Sequence, residues 1–141
     1  VSGVIRRFET SDTDAVVALW EEAGLIRPWN DPLKDIARKQ AVQPELFLVL
    51  EDEGRVLGTA MSGYDGHRGW VYYLAVATSH RGRGLGRSLM TAVEERLLAL
   101  GCPKINLMVR AGNEPVFEFY RSLGYAEETS ANFGKRLIPD D

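Results

Sequence analysis

Val71-Tyr72-Tyr73-Leu74-Ala75-Val76, then Ala77-Thr78-Ser79-His80, then Arg81-Gly82-Arg83-Gly84-Leu85-Gly86-Arg87, reads as a buried strand, a short turn, a glycine-rich basic loop and the start of a helix. That order builds an anion site. Glycine lets backbone approach a ligand closely. The first helical turn has N–H groups without intrahelical acceptors, and its dipole favours negative charge, so a pyrophosphate suits it. Arg81, Arg83 and Arg87 add three cations to a stretch that holds no acid. Two familiar phosphate motifs fail here. The P-loop needs a lysine that this loop lacks. The dinucleotide fingerprint G-x-G-x-x-G meets Arg87 or Leu89 where its third glycine belongs.

The surrounding chain sets limits on the reading. It has 141 residues, which suits one domain spanning 1–141. Its formal net charge is −3, which argues against a general nucleic-acid binder and leaves room for a local basic pocket. The single cysteine, Cys102, excludes an intramolecular disulfide and suits a reducing compartment, so a cytoplasmic protein is expected. Between Gly101 and Pro103 it reads as a packed thiol. No apolar run approaches a membrane span. Val1-Ser2-Gly3 carries neither a methionine nor a signal-peptide core and reads as trimmed or foreign to the natural chain.

Periodicity supplies the elements. Gly3 to Phe8 reads as a strand. Ser11 and Asp14 are spaced as a capping box before a first helix with Ala15, Val16, Leu19 and Trp20 on its apolar stripe. Asp31 and Pro32 open a second helix to about Val42. Leu46–Leu50 and Arg55–Ser62 read as a hairpin, and Trp70–Val76 as a central strand. Leu85, Leu89, Val93, Leu97 and Leu100 mark a helix ended by Gly101. Lys104–Val109 is a strand, Asn113 caps a helix ended by Gly124, and Tyr125–Leu137 is expected to add one or two strands. The order β-α-α-β-β-β-α-β-α-β predicts a single α/β domain with a mixed sheet.

Arg81-Gly82-Arg83-Gly84-Leu85-Gly86 after a hydrophobic strand resembles the acetyl-CoA loop, Q/R-x-x-G-x-G/A, of the GNAT (Gcn5-related) N-acetyltransferases. A second motif, Asn113, Val116, Tyr120 and Gly124-Tyr125, resembles that family's N-x-x-A-x-x-x-Y-x-x-x-G-F, with Val116 for alanine and Tyr125 for phenylalanine. The element order resembles the GNAT order over essentially the whole chain. Arg27–Pro32 and Gly63–Gly69 resemble small stand-alone bacterial members. One departure is Thr78, where the family loop usually has proline.

The resemblance implies an N-acetyltransferase that moves an acetyl group from acetyl-CoA directly to a primary amine, a small amine or a protein or peptide amine, in a ternary complex and without a metal. It implies that the strand ending at Val76 splays from the next to admit acyl-CoA, with Leu74 and Val76 offering backbone groups. Arg81, Gly82, Arg83, Gly84, Leu85, Gly86 and Arg87 would hold the pyrophosphate, and Asn113 and Tyr120 would meet the pantetheine end. Tyr120 would be the general acid at the departing sulfur, although aromatic packing beside Phe117 and Phe119 also accounts for it. The Leu74 N–H would be the oxyanion donor. His67 is a base candidate from its intrinsic pKa of about 6.5, against simple solvation. Arg27, Trp29, Asn30 and Asp31 are candidates for the acceptor wall, with a packed tryptophan and a helix cap as the other reading. Asp65 stands beside His67, and Tyr72 and Tyr73 alternate, so one of them would face the acceptor. The different-class alternative is a non-catalytic acyl-CoA-binding regulatory module on the same fold. A monomer and a homodimer are both compatible with the sequence.

Overall fold

The computed structural model describes residues 3–141; Val1 and Ser2, at the terminus read as trimmed, lie outside them. Five strands form one sheet in the order β1 (Val4–Arg7), β2 (Phe47–Asp52), β3 (Arg55–Tyr64), β4 (Gly69–Val76), β5 (Ile105–Leu107). The first three neighbouring pairs are antiparallel, and β4 and β5 are parallel. Helices α1 (Thr13–Glu22) and α2 (Pro32–Ala41) separate β1 from β2. Helix α3 (Leu85–Ala99) makes the crossover from β4 to β5, and α4 (Glu114–Ser122) follows β5.

Alternation along β3 assigns the helices to faces. A side chain on Gly58 would strike Leu89 of α3 at 2.8 Å, whereas Thr59 hydrogen-bonds to Trp20 of α1 at 2.9 Å. Successive strand residues point to opposite faces, so α1 and α3 cover opposite sides of the sheet. This explains why β2 carries the unbroken apolar run Phe47-Leu48-Val49-Leu50, buried on both faces. The stripe predicted for α3 holds at Leu85, Leu89, Val93 and Leu97, all buried, but Leu100 is exposed at the helix end. Gly101 and Gly124 take positive φ just beyond their helices, as the sequence predicts.

Two local expectations are corrected. The box before α1 is formed not by Ser11 and Asp14 but two residues earlier, by Glu9 and Asp12: a 3-10 turn at Thr10–Asp12 precedes the helix, and the Asp12 carboxylate accepts the Glu9 N–H at 2.8 Å. Asp12 also receives both terminal nitrogens of Arg6, at 2.8 and 2.9 Å, which ties β1 to α1. The second correction lies after Gly124: residues 125–137 form no strand. Ala126–Asn132 offers alanines as its only apolar side chains, so it has little to bury against β5. Glu128 reaches that edge, paired with Lys104 and accepting from Asn106.

Asp12 generates a stability prediction. The hydrogen bonds from Arg6 hold its pKa below the ordinary carboxylate value. A depressed folded-state pKa adds stability above the unfolded value, about 3.9, that is lost as pH falls through the folded value. Asp12→Asn is expected to lower stability at neutral pH by about 1.5–3 kcal/mol and to flatten the acid limb of the stability profile, read from denaturant midpoints across pH.

Candidate active site

The site begins where the sheet opens. β4 and β5 pair only at Gly69–Ile105, Trp70–Asn106 and Val71–Leu107, yet β4 runs on to Val76. Beyond Val71 its edge has no β5 partner, and a cleft of about 790 Å³ occupies the gap. Val71, Tyr72, Tyr73 and Leu74 line one wall, Leu107–Arg110 and Asn113 the other, and Tyr120 of α4 also faces the space.

A bulge shapes the β4 wall. Thr59 pairs with Ala75 and Met61 with Tyr72, so β4 spends three steps where β3 spends two. Tyr73 absorbs the extra residue with φ 53°, a left-handed conformation that a tyrosine rarely adopts. The surrounding contacts hold it there. Its ring stacks on Trp20 with centroids 3.8 Å apart, its carbonyl accepts the Thr59 hydroxyl at 2.8 Å, and its own hydroxyl donates to Asp35 at 2.6 Å. Burial, followed by the Asp35 contact, raises the Tyr73 pKa, so the phenol keeps its proton. The Thr59 oxygen also accepts from the Trp20 indole, which completes a buried relay. The alternation expected of Tyr72 and Tyr73 therefore breaks: both line the cleft, Tyr72 45% exposed and Tyr73 tied to α1 and α2.

The glycine loop follows β4. Thr78–His80 make a 3-10 turn, and Gly82 and Gly84 both have φ 79°. Gly84 is the N-cap of α3 and contributes no side chain to the first-turn N–H groups. Nothing lies within 4 Å of where its Cβ would stand, so its glycine is required by conformation, not space. Gly86 is different: a Cβ there would come within 3.1 Å of the Phe119 ring, so this glycine lets α4 close on α3. Leu85 sends its side chain into the core. Arg81, Arg83 and Arg87 are exposed, and among the described residues none of them is in an ion pair. This cradle of open N–H groups and unpaired guanidinium groups fits a pyrophosphate. Asn113 stands at the N-cap of α4, but its side chain does not cap the helix, so the amide is left for the cleft it lines.

Tyr120 sits edge-on between Phe119 and Tyr125, with centroids at 5.0 and 5.8 Å. Burial pushes its pKa up to about 12. Its hydroxyl bonds to no described residue, although the Tyr125 hydroxyl beside it donates to Glu94 at 2.6 Å.

The other sequence candidates divide. Arg27, Trp29 and Asn30 line the cleft with Tyr72, and Trp29 is 55% exposed, not packed in the core. Asp31 is not on the lining: its carboxylate caps α2 at the Leu33 N–H, 2.9 Å away. His67 and Asp65 lie in the β3–β4 hairpin, at the far end of β4 from Leu74 and off the cleft lining. Asp65 accepts the His67 and Arg68 N–H groups at 2.8 Å each, which shapes that turn and lowers its pKa. Cys102 is buried, with its thiol toward the Lys104 carbonyl at 3.4 Å. Sequence reasoning missed the Trp20–Thr59–Tyr73 relay and the basic residues of α2. Three residues distant in sequence make the relay, so no local pattern announces it.

Comparison with known proteins agrees with this geometry. The family model described as Acetyltransferase (GNAT) family matches residues 13–125. An acetyltransferase of Yersinia enterocolitica is 50% identical over 136 residues, 96% of each chain, and one of Pectobacterium atrosepticum is also 50% identical over 96% of each. Among solved structures, the ribosomal-protein-S18-alanine N-acetyltransferase of Escherichia coli superimposes with TM-score 0.76 and 27% identity, covering 91% of this chain and 80% of that one. Ard1 of Thermoplasma volcanium, with TM-score 0.80, 24% identity and coverage of 92% and 86%, shares the fold. The chain belongs to the GNAT family of acetyltransferases and is an N-acetyltransferase. The family uses acetyl-CoA, and the loop after β4 has the chemistry to hold it.

The bulge supplies the test of this site. Thr59→Val removes the hydroxyl shared by Trp20 and Tyr73 at nearly constant volume. It is expected to cost about 2–4 kcal/mol of stability and to lower turnover about tenfold or more, whereas Thr59→Ser retains both properties. Denaturant titration and steady-state rates of the two variants check this.

Proposed function

We propose that the protein transfers an acetyl group from acetyl-CoA directly to a primary amine in a ternary complex. The observation that carries this reading is one cleft lined both by the bulged Leu74 and by Tyr120 with its free hydroxyl. Acetyl-CoA supplies an activated acyl carbon on a thiol leaving group. The chain's residues then have four tasks. The α3 N-terminus and its arginines bind the pyrophosphate. Asn113 orients the arm between the parted strands. The Leu74 N–H stabilises the acyl oxygen as it gains charge. Tyr120 donates to the sulfur as the carbon–sulfur bond breaks and the amine nitrogen bonds to the acyl carbon. The amine's surplus proton leaves through the open cleft to solvent. No described cluster of three or more His, Cys, Asp or Glu groups could hold a metal, and no described helix is long and apolar enough to cross a membrane. A cytoplasmic location suits the lone reduced thiol.

The regulatory-module alternative and the enzyme part company at Tyr120. Tyr120→Phe is expected to lower kcat by about 10²-fold and to leave acetyl-CoA affinity unchanged, measured by thiol release and by calorimetric titration. Wild-type turnover in this variant would remove Tyr120 from the chemistry. Because the phenol titrates above the ordinary tyrosine value of 10.0, kcat is expected to rise as the acceptor amine deprotonates and to show no fall at pH 10. A decline below that pH would contradict a protonated Tyr120 as donor.

A further inference from the structure

The acceptor end of the cleft has a charge pattern that the transfer chemistry does not require. Arg27, Arg38 and Lys39 line it from the α1–α2 loop and α2, and Arg110 lines it from the opposite wall. The only carboxylate on the lining is Asp35, and it is engaged: it accepts the Tyr73 hydroxyl at 2.6 Å and Arg38 at 3.3 Å. Arg38 is committed as well, to Asp140 at 2.6 Å. Among the described residues, Arg27, Lys39 and Arg110 form no ion pair. A local excess of unpaired cations in a chain of net charge −3 is a feature of this cleft.

Lys39 is the most constrained of them. It is partly buried; burial lowers its pKa from the usual lysine value, and the Glu45 carboxylate, which forms no ion pair with it, acts more weakly in the opposite direction. Its ammonium stands beside Gly63 of β3, where a Cβ would lie 3.5 Å from the Nζ atom. The next turn is pinned: the Gln43 amide donates to the Tyr64 carbonyl and accepts the Tyr64 N–H, each at 2.9 Å, as a strand residue would. Lys39 is thus held against the sheet with no hydrogen-bond partner among the described residues. A partly desolvated cation gains most from an anion that meets it there. Arg27 is fixed at the rim by its bond to the Gly24 carbonyl at 2.9 Å and keeps other N–H groups free.

We infer that the acceptor is a small primary amine that also carries an anionic group, carboxylate or phosphate, and that Lys39, supported by Arg27, binds that group. The inference rests on the acetyltransferase reading and narrows its substrate. It disfavours polyamines and aminoglycosides, whose extra cations would face Lys39 and Arg27.

The test uses matched acceptors: ω-amino acids of increasing length beside their amides, phosphoethanolamine beside ethanolamine, spermidine, and a short peptide with an acidic N-terminus. Acetyl transfer is followed by thiol release, and binding of each compound by calorimetry with CoA present. The expected result is a kcat/KM at least about tenfold higher for the anionic member of a pair. Lys39→Gln abolishes that preference through KM, and Lys39→Arg retains it. The amino acid and phosphate arms identify which anion is read. Equal use of acids and amides, preference for spermidine or the peptide, or a Lys39→Gln enzyme with unchanged preference would each overturn the inference while transfer itself stands. Lys39-dependent binding of the acids with no transfer to any amine would instead overturn the transfer reading. Neither transfer nor Lys39-dependent binding would overturn both.

Discussion

The buried hydroxyl of Thr59 is the contact on which the site depends. It accepts the Trp20 indole N–H and donates to the Tyr73 carbonyl, so one atom connects α1, β3 and β4. Tyr73 occupies a backbone conformation that costs about 1–3 kcal/mol for a residue other than glycine. The stacked Trp20 ring, the Thr59 bond and the Asp35 bond together hold it in place. The result is a strand whose edge turns toward the cleft at Leu74. Without the bulge, strict alternation would continue to Val76 and the strand end would lie in another register.

Glycines supply the complementary fit, for separate reasons. Gly84 is needed because its backbone is left-handed at the cap of α3, with open space where a ligand would approach. Gly58 is needed because Leu89 of α3 packs directly on β3, and Gly86 because Phe119 packs directly on α3. Helix α3 is therefore set at short range on the sheet, and α4, which carries Tyr120, is set at short range on that helix. A single packing chain runs from β3 through α3 to Tyr120.

Charge is divided between the two ends of the opening. The loop after β4 concentrates three arginines where a pyrophosphate would bind, and α2 with its preceding loop concentrates Arg27, Arg38 and Lys39 around the acceptor end. Two acidic residues near the second group are drawn into structure: Asp31 caps α2, and Asp140 accepts the Asp31 N–H at 2.9 Å and pairs with Arg38. The last residues of the chain thereby brace the acceptor wall, and Arg136 reaches Asn30 from the same segment. The Asp140 carboxylate consequently adds little free negative charge to the cleft.

Local patterns in the sequence determined the strand–loop–helix order around the glycine loop, the stripes of α1 and α3, the glycine helix stops and the spacing that joins Asn113 to Tyr120. These are legible because each depends on residues within a turn or a strand of one another, where backbone geometry is set by neighbours. The element boundaries followed to within a few residues, except at the capping box before α1 and after Gly124, where an apolar pattern too sparse for a strand found no partner on β5. Tertiary structure alone decided the bulge at Tyr73, the tie of that tyrosine to Trp20 and Asp35, the separation of His67 and Asp65 from the cleft, and the gathering of Arg27, Lys39 and Arg110 around one opening. Each of these depends on which distant side chain meets which backbone atom, as Trp20 meets Thr59 across 39 positions. Local periodicity specifies which face of an element is buried, but only the assembled sheet specifies what that face encounters.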